Sequence, residues 1–328
     1  MSSDKFRAVS IVIPFLNEER VIGRCLQALT RLETAAGPIE VILVDNGSTD
    51  RTVEIARSFS NALDVTVLCK PGATISAMRN YGVSQAKGEF VAFLDADCLA
   101  PPHWLTAALA RLRLEELGVL GAHYKIPDDS SWVARVWFGG MALEKQGDIE
   151  WIPAGDMIMS RSTFERIRGF DESLRTNEDC ELCGRIRGAG LRVVADATVA
   201  VVHLGTPQTL CGFYKKDLWH ATDGLLVFLR QLPKITNPRA LIFGAYTLAC
   251  ATGVVLGTAR MFGSGNPLVP TYFLAAWLAP AFLLSVRLVV KRRRWGDLAG
   301  LTVLHLVFGV ARGHACLLAI ARLLRARR

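Results

Sequence analysis

Phe90-Val91-Ala92-Phe93-Leu94-Asp95-Ala96-Asp97 is an apolar, strand-like run that ends in two carboxylates. In extended backbone, a spacing of two residues places Asp95 and Asp97 on the same side of the chain. Ligands of an open α/β sheet bind at the carboxyl ends of its strands, and two carboxylates there can share one hard divalent cation. By itself, Asp95-Ala96-Asp97 is better explained as a polar turn that caps a helical segment at Pro101–Arg113. The flanking sequence must decide between this turn and a cation site.

The flanking sequence alternates strand-like and helix-like segments. Short apolar runs predict strands, and apolar positions at helical spacing predict helices between them. The predicted strands are Val9–Pro14, Glu40–Asp45, Val65–Cys69, Phe90–Leu94 and Ala197–Val202, and the predicted helices are Val21–Leu29, Arg51–Phe59, Ser76–Ala86 and Cys180–Arg187. This alternation predicts an α/β fold in which a mostly parallel sheet is flanked by helices on both faces.

Several short motifs follow one another in the order of a known family. They are Ser10–Pro14 with Asn17-Glu18, Val44–Asp50, Ala77–Gly82, Asp95–Asp97, Gly169–Glu172 and Asn177–Asp179. From about Val9 to His203 the chain therefore resembles the inverting family-two glycosyltransferases, which have the nucleotide-sugar-binding fold called GT-A. One position departs from the pattern, because Asn46 stands where the family often has a second acidic residue.

The resemblance implies a nucleotide-sugar donor, a UDP- or GDP-sugar. The donor contacts that it implies come from Pro14, Glu18, Asp45, Arg79 and Asp95. Asp45 would accept a hydrogen bond from the base, although a capping role in the turn that follows would also explain it. Arg79 offers a fork of donors for phosphate or for neighbouring carboxylates, and a solvated position on a helix is the alternative.

The resemblance also implies a divalent metal, Mg²⁺ or Mn²⁺, held by Asp97 together with Asp95. The cation and the carboxylates would neutralise the diphosphate as its charge develops. The family often places a metal-facing histidine near His203, which makes this residue a candidate third ligand. A lone histidine at a strand end is also commonly structural.

Inversion at the anomeric carbon needs a general base for the acceptor hydroxyl. Asp179 matches the position that the family uses as base, although a carboxylate that opens a helix also stabilises the helix N-terminus. The neighbouring Glu178 is a weaker candidate on the acceptor side. Asp156 lies in a segment that resembles the acceptor loop of the family, so it is predicted either to hold an acceptor hydroxyl or to be a turn residue.

The segment Leu210–Leu229 combines aromatic residues with lysines, which suits an amphipathic stretch at a membrane surface. In processive members of the family, a Gln-x-x-Arg-Trp motif in the corresponding region holds the growing chain. Here Lys216-Asp217-Leu218-Trp219 keeps only the tryptophan. Trp219 is therefore a candidate acceptor contact, and transfer of single sugars is favoured over polymerisation.

The eight cysteines are scattered singly except for Cys180 and Cys183, which have no second pair at zinc spacing. We expect reduced thiols in contact with the cytosol. The stretch Met1–Arg7 leads directly into a strand, so we expect no signal peptide.

The composition changes near residue 230. Residues 230–328 contain fourteen basic residues and one acidic residue, a net charge of +13, whereas residues 1–229 have a net charge of −5. A basic surface for nucleic acid is the alternative explanation. Because the charges alternate with long apolar stretches, we expect contact with membrane lipids and no nucleic-acid partner.

Two apolar segments, at about 240–260 and 268–290, are long enough to span a bilayer. The basic cluster Lys291–Arg294 places the end of the second span in the cytoplasm by the positive-inside rule. A third segment at about 298–324 carries His305, Arg312 and His314 within its apolar stretch. The chain then ends in Arg322, Arg325, Arg327 and Arg328, which a third span would export against the positive-inside rule. We expect this segment to lie in the membrane interface, and a third span is the competing interpretation.

The sequence thus predicts a GT-A catalytic domain at 1–209, an amphipathic segment at 210–238 and a membrane region at 239–328. The favoured function is an inverting glycosyltransferase on the cytoplasmic face of the cytoplasmic membrane, with a lipid-linked or envelope polysaccharide acceptor. A processive polysaccharide synthase of the same fold remains open. So does a membrane interaction protein that binds nucleotide without turnover.

Overall fold

The structure is a computed structural model, and it describes residues 7–221, 239–264 and 268–326. The chain divides into two compact units. The sheet unit comprises Met1–Asp128 and Phe138–Thr206, and the helical unit comprises Asp129–Trp137 and Pro207–Arg328. All eight cysteines are free thiols, as expected.

The elements follow one another along the chain as strands β1 to β10 and helices α1 to α12. The first half contains β1 (Arg7–Phe15), α1 (Ile22–Leu29), β2 (Ile39–Asp45), α2 (Thr52–Ser58), β3 (Val65–Cys69), α3 (Ile75–Ser84), β4 (Gly88–Leu94), β5 (Cys98–Leu99), α4 (Trp104–Leu114), β6 (Leu117–Gly121) and α5 (Trp132–Trp137). The second half contains α6 (Met141–Glu144), β7 (Gly147–Asp148), β8 (Asp156–Ser160), α7 (Arg161–Arg166), α8 (Glu178–Gly188), β9 (Arg192–Ala195), β10 (Val202–His203), α9 (Leu210–Ala221), α10 (Arg239–Ser264), α11 (Leu268–Arg292) and α12 (Leu298–Ala326). Short 3₁₀ segments lie at Thr34–Ala36, Ala197–Val199 and Trp295–Asp297.

The sheet unit is built on an eight-stranded sheet in the order β3-β2-β1-β4-β8-β6-β9-β7. The strands β3, β2, β1 and β4 are mutually parallel, and in the register of β1 with β2, Ile13 lies opposite Leu43. The strand β8 runs antiparallel to both of its neighbours, and β7 runs antiparallel to β9. The predicted mostly parallel sheet is therefore confirmed.

Side chains that alternate along the central strands fill two separate hydrophobic cores. Ile11 and Ile13 of β1 pack into one core with α1 and α4. Val12, between them, packs into the other with α3 and α8. A strand buried on both faces has a continuous apolar sequence, and helices cover both faces as predicted.

The predicted strand Ala197–Val202 is wrong over most of its length. Ala197–Val199 forms a 3₁₀ turn, because the Asp196 carboxylate accepts a hydrogen bond from the Thr198 amide at 2.9 Å. A short polar side chain that binds nearby backbone in this way competes with strand pairing. Val199 and Val201 are nevertheless fully buried, so the apolar run indicates burial rather than a strand.

The helical unit contains three helices long and apolar enough to cross a membrane, counted over the described residues. The candidate spans are Ile242–Met261, Leu268–Arg292 and Trp295–Ala321. The first two correspond to the predicted spans. Of the predicted amphipathic segment 210–238, α9 covers Leu210–Ala221, and residues 222–238 lie outside the described part of the chain.

The third helix, α12, packs against both other candidate spans. His305 of α12 shares a hydrogen bond of 2.8 Å with the Ser285 hydroxyl of α11. A Cβ added at Gly309 would lie 2.5 Å from the Thr247 hydroxyl of α10. Close approach through small residues is typical of packed membrane helices. This packing favours the competing interpretation, a third span, over the expected interfacial helix.

Candidate active site

Asp95 follows β4 directly, at the carboxyl end of the central strands. Its Oδ1 atom accepts a hydrogen bond from Arg79 Nη2 at 2.7 Å, and its Oδ2 atom accepts one from the Tyr124 hydroxyl at 3.2 Å. The side chain is about one quarter exposed. Asp95 is therefore held in one orientation and still reaches the surface of the site.

A two-stranded ribbon brings His203 to Asp97. In this ribbon β10 pairs antiparallel with β5, so that His203 lies opposite Cys98. The His203 Nε2 atom lies 3.5 Å from Asp97 Oδ2. A pairing of two residues per strand thus joins side chains that are more than a hundred residues apart in the sequence.

The hydrogen bonds of Thr206 define the tautomer of His203. The Thr206 hydroxyl donates to the His203 carbonyl oxygen at 3.0 Å, so at 3.1 Å it accepts from the Nδ1–H of the imidazole. The second ring nitrogen, Nε2, then carries the lone pair that metal coordination requires. The Tyr124 ring stacks on the imidazole at 4.6 Å between centroids and limits its rotation.

Asp97 and His203 could hold a metal ion together with oxygen atoms from a ligand. Asp97, Cys98 and His203 each offer one atom within 4.8 Å of the others. Burial raises the pKa of the Cys98 thiol well above its usual value, and a soft thiolate is not the ligand type that hard cations such as Mg²⁺ and Mn²⁺ select. The remaining carboxylate oxygen and imidazole nitrogen fit Mn²⁺ or Mg²⁺. Asp95 lies outside this group, and each of its oxygens accepts one hydrogen bond, which leaves further lone pairs, so its direct contact with a metal stays a prediction.

Arg79 is a buried bridge between two carboxylates, and it is only 2% exposed. Its Nη2 atom binds Asp95 at 2.7 Å, and its Nη1 atom binds Glu178 Oε1 at 2.8 Å. The solvated position considered for Arg79 is therefore wrong. Direct binding of the donor is also not what this geometry provides, because the guanidinium is turned toward protein carboxylates.

Asp179 is the second residue of α8. Asn177, in a left-handed conformation at φ 62°, turns the chain into this helix. The Asp179 Oδ1 atom accepts a hydrogen bond from the Cys180 amide at 2.7 Å. Burial, reinforced by the negative charge of Glu178, raises the pKa of Asp179 to about 7. Because the side chain is still partly exposed, it can take a proton from a bound hydroxyl near neutral pH.

Glu178 faces Arg79 and is 8% exposed. It therefore acts on Asp179 through its charge, and it is poorly placed to touch an acceptor. Glu18, before α1, lies near the other acidic groups. Burial and then the charges of Asp97, Asp50 and Asp95 raise the pKa of Glu18 to about 7. A bound cation would relieve this repulsion.

Asp45 and Asn46 organise the loops at the edge of the site. Asp45 is buried, and its Oδ1 atom accepts from the Ser48 amide at 2.9 Å, which is the turn-capping role. The Asn46 side chain both donates to and accepts from the backbone of Ala73, which joins the loop after β2 to the loop after β3. Pro14 is buried within β1, opposite Val44. Recognition of a base by Asp45 and contact of Pro14 with a donor stay predictions.

The acceptor role predicted for Asp156 is corrected by the structure. Asp156 is fully buried at the start of β8. Its Oδ1 atom accepts from the Trp104 indole at 2.8 Å, and its Oδ2 atom accepts from the Val201 amide at 3.1 Å. Burial raises the pKa of Asp156 to about 8. It fastens the segment that leads to His203 and cannot touch a substrate.

Trp219 belongs to the helical unit, where it lies on α9 with about half of its surface exposed. Its ring contacts the edge of the His220 ring at 4.8 Å. Its predicted role as an acceptor contact stays a prediction.

Three residues of the candidate site escaped the sequence analysis. Tyr124 binds Asp95, and two glycines leave room for the carboxylates: a Cβ at Gly155 would lie 2.2 Å from Asp95 Oδ2, and one at Gly205 would lie 2.0 Å from Asp97 Oδ2. Tyr124 follows β6 by three residues, so the rule that ligands bind at the carboxyl ends of strands could have found it. The glycines gave no such signal, because their neighbours are distant in sequence.

Residues 10–170 match the family model described as glycosyl transferase family 2. The chain carries a glycosyl transferase family 2 domain. Glycosyltransferase AglE of Haloferax volcanii is 32% identical over 164 residues, which are 49% of this chain and 51% of the relative. Pre-mycofactocin glycosyltransferase of Mycobacterium tuberculosis is 27% identical over 271 residues, 79% of this chain and 56% of the relative. The chain thus spans about half the length of these curated relatives.

Among solved structures, the mannosyltransferase PcManGT from Pyrobaculum calidifontis, in complex with GDP-Man and Mn²⁺, is similar with a TM-score of 0.61. The two share 19% sequence identity, and the likeness covers 94% of this chain and 88% of PcManGT. At this identity the likeness shows the fold, which agrees with the GT-A expectation. The glycosyl transferase family 2 domain therefore has a GT-A-like fold.

Gly205→Ala tests the candidate metal site of this domain without changing a candidate ligand. The added methyl group would collide with the Asp97 carboxylate and lie 3.1 Å from His203 Cε1, so the two side chains must separate. We expect Mn²⁺ affinity to fall roughly 10- to 100-fold, the usual effect of disturbing the surroundings of metal ligands. Electron paramagnetic resonance of Mn²⁺ titrated into the full-length protein in detergent measures it.

Gly188→Ala is the matched control, because a Cβ at Gly188 meets no atom within 4 Å. Equal Mn²⁺ affinities for the wild type and the Gly205→Ala protein would contradict a metal site at Asp97 and His203.

Proposed function

We propose that this chain is a membrane-anchored, metal-dependent inverting glycosyltransferase. It would move one sugar from a UDP- or GDP-sugar to a lipid-linked or glycan acceptor. The observation that carries the proposal is the linked series Asp95–Arg79–Glu178. Asp95 lies beside the candidate metal pair, Asp97 and His203, and Glu178 lies beside Asp179. Arg79 therefore connects the two halves of one site. The GDP-Man and Mn²⁺ bound by PcManGT support a nucleotide-sugar donor and a divalent cation.

On the donor side, Asp97 and His203 would hold the cation. When bound, the cation supplies positive charge that stabilises the diphosphate leaving group. Asp95, fixed by Arg79 and Tyr124, presents carboxylate oxygen to the same region and would orient the donor. A donor that is held in one orientation loses less freedom in the transition state.

On the acceptor side, Asp179 would act as general base. The acceptor oxygen attacks the anomeric carbon on the face opposite the diphosphate, so the new C–O bond forms as the bond to the diphosphate breaks. The hydroxyl proton passes to the Asp179 carboxylate, and the bonding electron pair leaves with the diphosphate. Glu178 keeps the proton affinity of Asp179 high, while the Arg79 charge opposes complete protonation.

The three candidate spans support a place in the cytoplasmic membrane with the sheet unit on the cytoplasmic face, where sugar nucleotides are made. The cluster Lys291–Arg294, at the C-terminal end of α11, would remain on that face by the positive-inside rule. Alkaline phosphatase, active only outside, should be active when fused after Ser264 and inactive when fused after Arg294. An active fusion after Arg294 would show that the orientation is the reverse of the one proposed.

Removal of metal tests the donor side. If Asp97 binds the cation, a chelator should abolish sugar transfer, and added Mn²⁺ or Mg²⁺ should restore it. Asp97→Asn, which keeps the shape of the side chain, should lower kcat by orders of magnitude. Asp148→Asn is the control, because this exposed aspartate pairs with Arg192 outside the site. Release of nucleotide from a panel of sugar donors, with membrane lipid extract as acceptor, measures turnover. Full activity in the presence of chelator would contradict the assignment of Asp97 as a metal ligand.

Replacement of the base tests the acceptor side. Asp179→Asn cannot accept a proton, so transfer should fall roughly 10²- to 10⁴-fold, while the Kd for the donor changes little. In the wild type, kcat should fall as the pH drops below about 7, because burial raises the pKa of Asp179 to about 7 and the base must be deprotonated. The variant should lack this inflection.

Glu181→Gln is the control for helix capping. Glu181 also lies in the first turn of α8 but pairs with Arg185 at 2.7 Å. If both variants lost activity equally, or if Asp179→Asn mainly weakened donor binding, Asp179 would be a structural residue.

A further inference from the structure

A cavity of about 430 Å³ lies within the helical unit, between α9, α11 and α12. Its lining includes Leu210 and Tyr214 of α9, Trp277 and Leu278 of α11, and Val307 of α12. The lining is almost wholly apolar, and the volume lies within the range of small-molecule sites. A polar solute would lose its hydration there without replacement, so the cavity suits a hydrocarbon chain.

Two walls of the cavity belong to candidate membrane spans. Trp277 and Leu278 lie within Leu268–Arg292, and Val307 lies within Trp295–Ala321. Several lining side chains, among them Leu278 at 41%, are still exposed. A chain could therefore enter from the hydrocarbon layer that surrounds such helices.

One residue that lines the cavity, Trp277, has a hydrogen-bond donor without an acceptor in the described part of the chain. This donor, the Nε1–H group of the indole, is buried. Buried polar groups are nearly always paired, because an unmade hydrogen bond is costly. An oxygen atom of a bound molecule would satisfy this donor, which points to an amphiphile rather than to a plain hydrocarbon.

The α9 wall is fastened to α12 by polar contacts. Arg312 binds both carboxylate oxygens of Asp217, at 2.7 and 3.0 Å. The Tyr214 hydroxyl lies 2.5 Å from His314 Nδ1, while the same residue lines the cavity. The cavity thus has a preformed wall, and the neighbouring exposed Lys215 favours an anionic head group.

We propose that this cavity binds the hydrocarbon chain of the acceptor, a long-chain lipid that carries a phosphate. The inference rests on the proposed function, and it narrows the acceptor class to phosphate-bearing lipids. The position of α9 in the sequence favours the acceptor over bulk phospholipid as the occupant of the cavity. The first wall, α9, begins four residues after Thr206, the residue that orients His203.

Variants that fill the cavity test the proposal through acceptor length. The assay uses the full chain in detergent, the nucleotide sugar that the donor panel identifies, and two acceptor probes, a long-chain polyprenyl phosphate and isopentenyl phosphate, whose five-carbon chain is too short to fill the cavity. Val307→Trp should raise the KM for the long-chain probe about tenfold, the effect of losing the burial of about two methylene groups. The KM for isopentenyl phosphate and for the donor should not change. Trp277→Phe, which removes only the indole donor, should raise the long-chain KM by a smaller factor.

Leu283→Trp is the matched control, because Leu283 lies on α11, is 63% exposed and does not line the cavity. It should leave both KM values unchanged. An equal rise of KM for both probes in Val307→Trp, or no rise for either, would overturn the proposal.

A binding measurement that needs no turnover separates this inference from the proposed function. A polyprenyl phosphate with a photoreactive chain should label peptides of α11 and α12 at the cavity. An excess of unlabelled long-chain polyprenyl phosphate should prevent the labelling, whereas phosphatidylcholine should not. Competition by phosphatidylcholine would assign the cavity to bulk lipid and overturn the acceptor assignment. Specific labelling by a protein that transfers sugar to no acceptor would instead reject the proposed function and keep the lipid site.

Discussion

The site depends on one buried arginine. Arg79 comes from α3, Asp95 follows β4, and Glu178 opens α8, so a single guanidinium joins three elements. An arginine that is 2% exposed cannot lose its charge, and its burial is tolerable only because two carboxylates pair with it. Removal of any one partner would leave an uncompensated charge and cost about 3–5 kcal/mol. The two halves of the site are therefore positioned by the same interaction that stabilises the fold around them.

The neighbouring Asn80 extends this arrangement. Its side chain donates to the Phe170 carbonyl oxygen and accepts from the Phe170 amide, both at 2.9 Å. It also donates to Glu172. The two adjacent residues of α3 thus hold the segment before α8 and the first residue of α8. This explains why motifs almost a hundred residues apart act as one unit, and why Asp179 has a defined place beside Glu178.

Much of the sheet unit could be predicted from the sequence. Its strands and helices bury apolar residues in continuous or periodic patterns, and such patterns can be recognised within a short stretch of sequence. The strand Val65–Cys69 was predicted with its observed bounds. The site was harder, because what Arg79 binds and how deeply Asp156 is buried depend on residues far along the chain. Asp156 follows the turn-like Pro153-Ala154-Gly155, yet Trp104 and Val201 enclose its carboxylate. Residue type and spacing indicate which chemistry is available, whereas the fold decides which side chain solvent or substrate can reach.

The same reasoning applies to α12. Arg312 and His314 within an apolar helix argued against a span, because an isolated charge at the bilayer centre costs at least ~2.5 kcal/mol. In the structure Asp217 and Tyr214 of α9 pair with them. A paired arginine no longer carries the cost of an isolated charge, so the polar residues stop being evidence against insertion of α12. They indicate instead that α9 packs beside α12 and supplies the partners of its polar residues. An ionisable residue in an apolar helix thus predicts a pairing partner elsewhere in the chain. By itself it does not exclude that the helix spans the membrane.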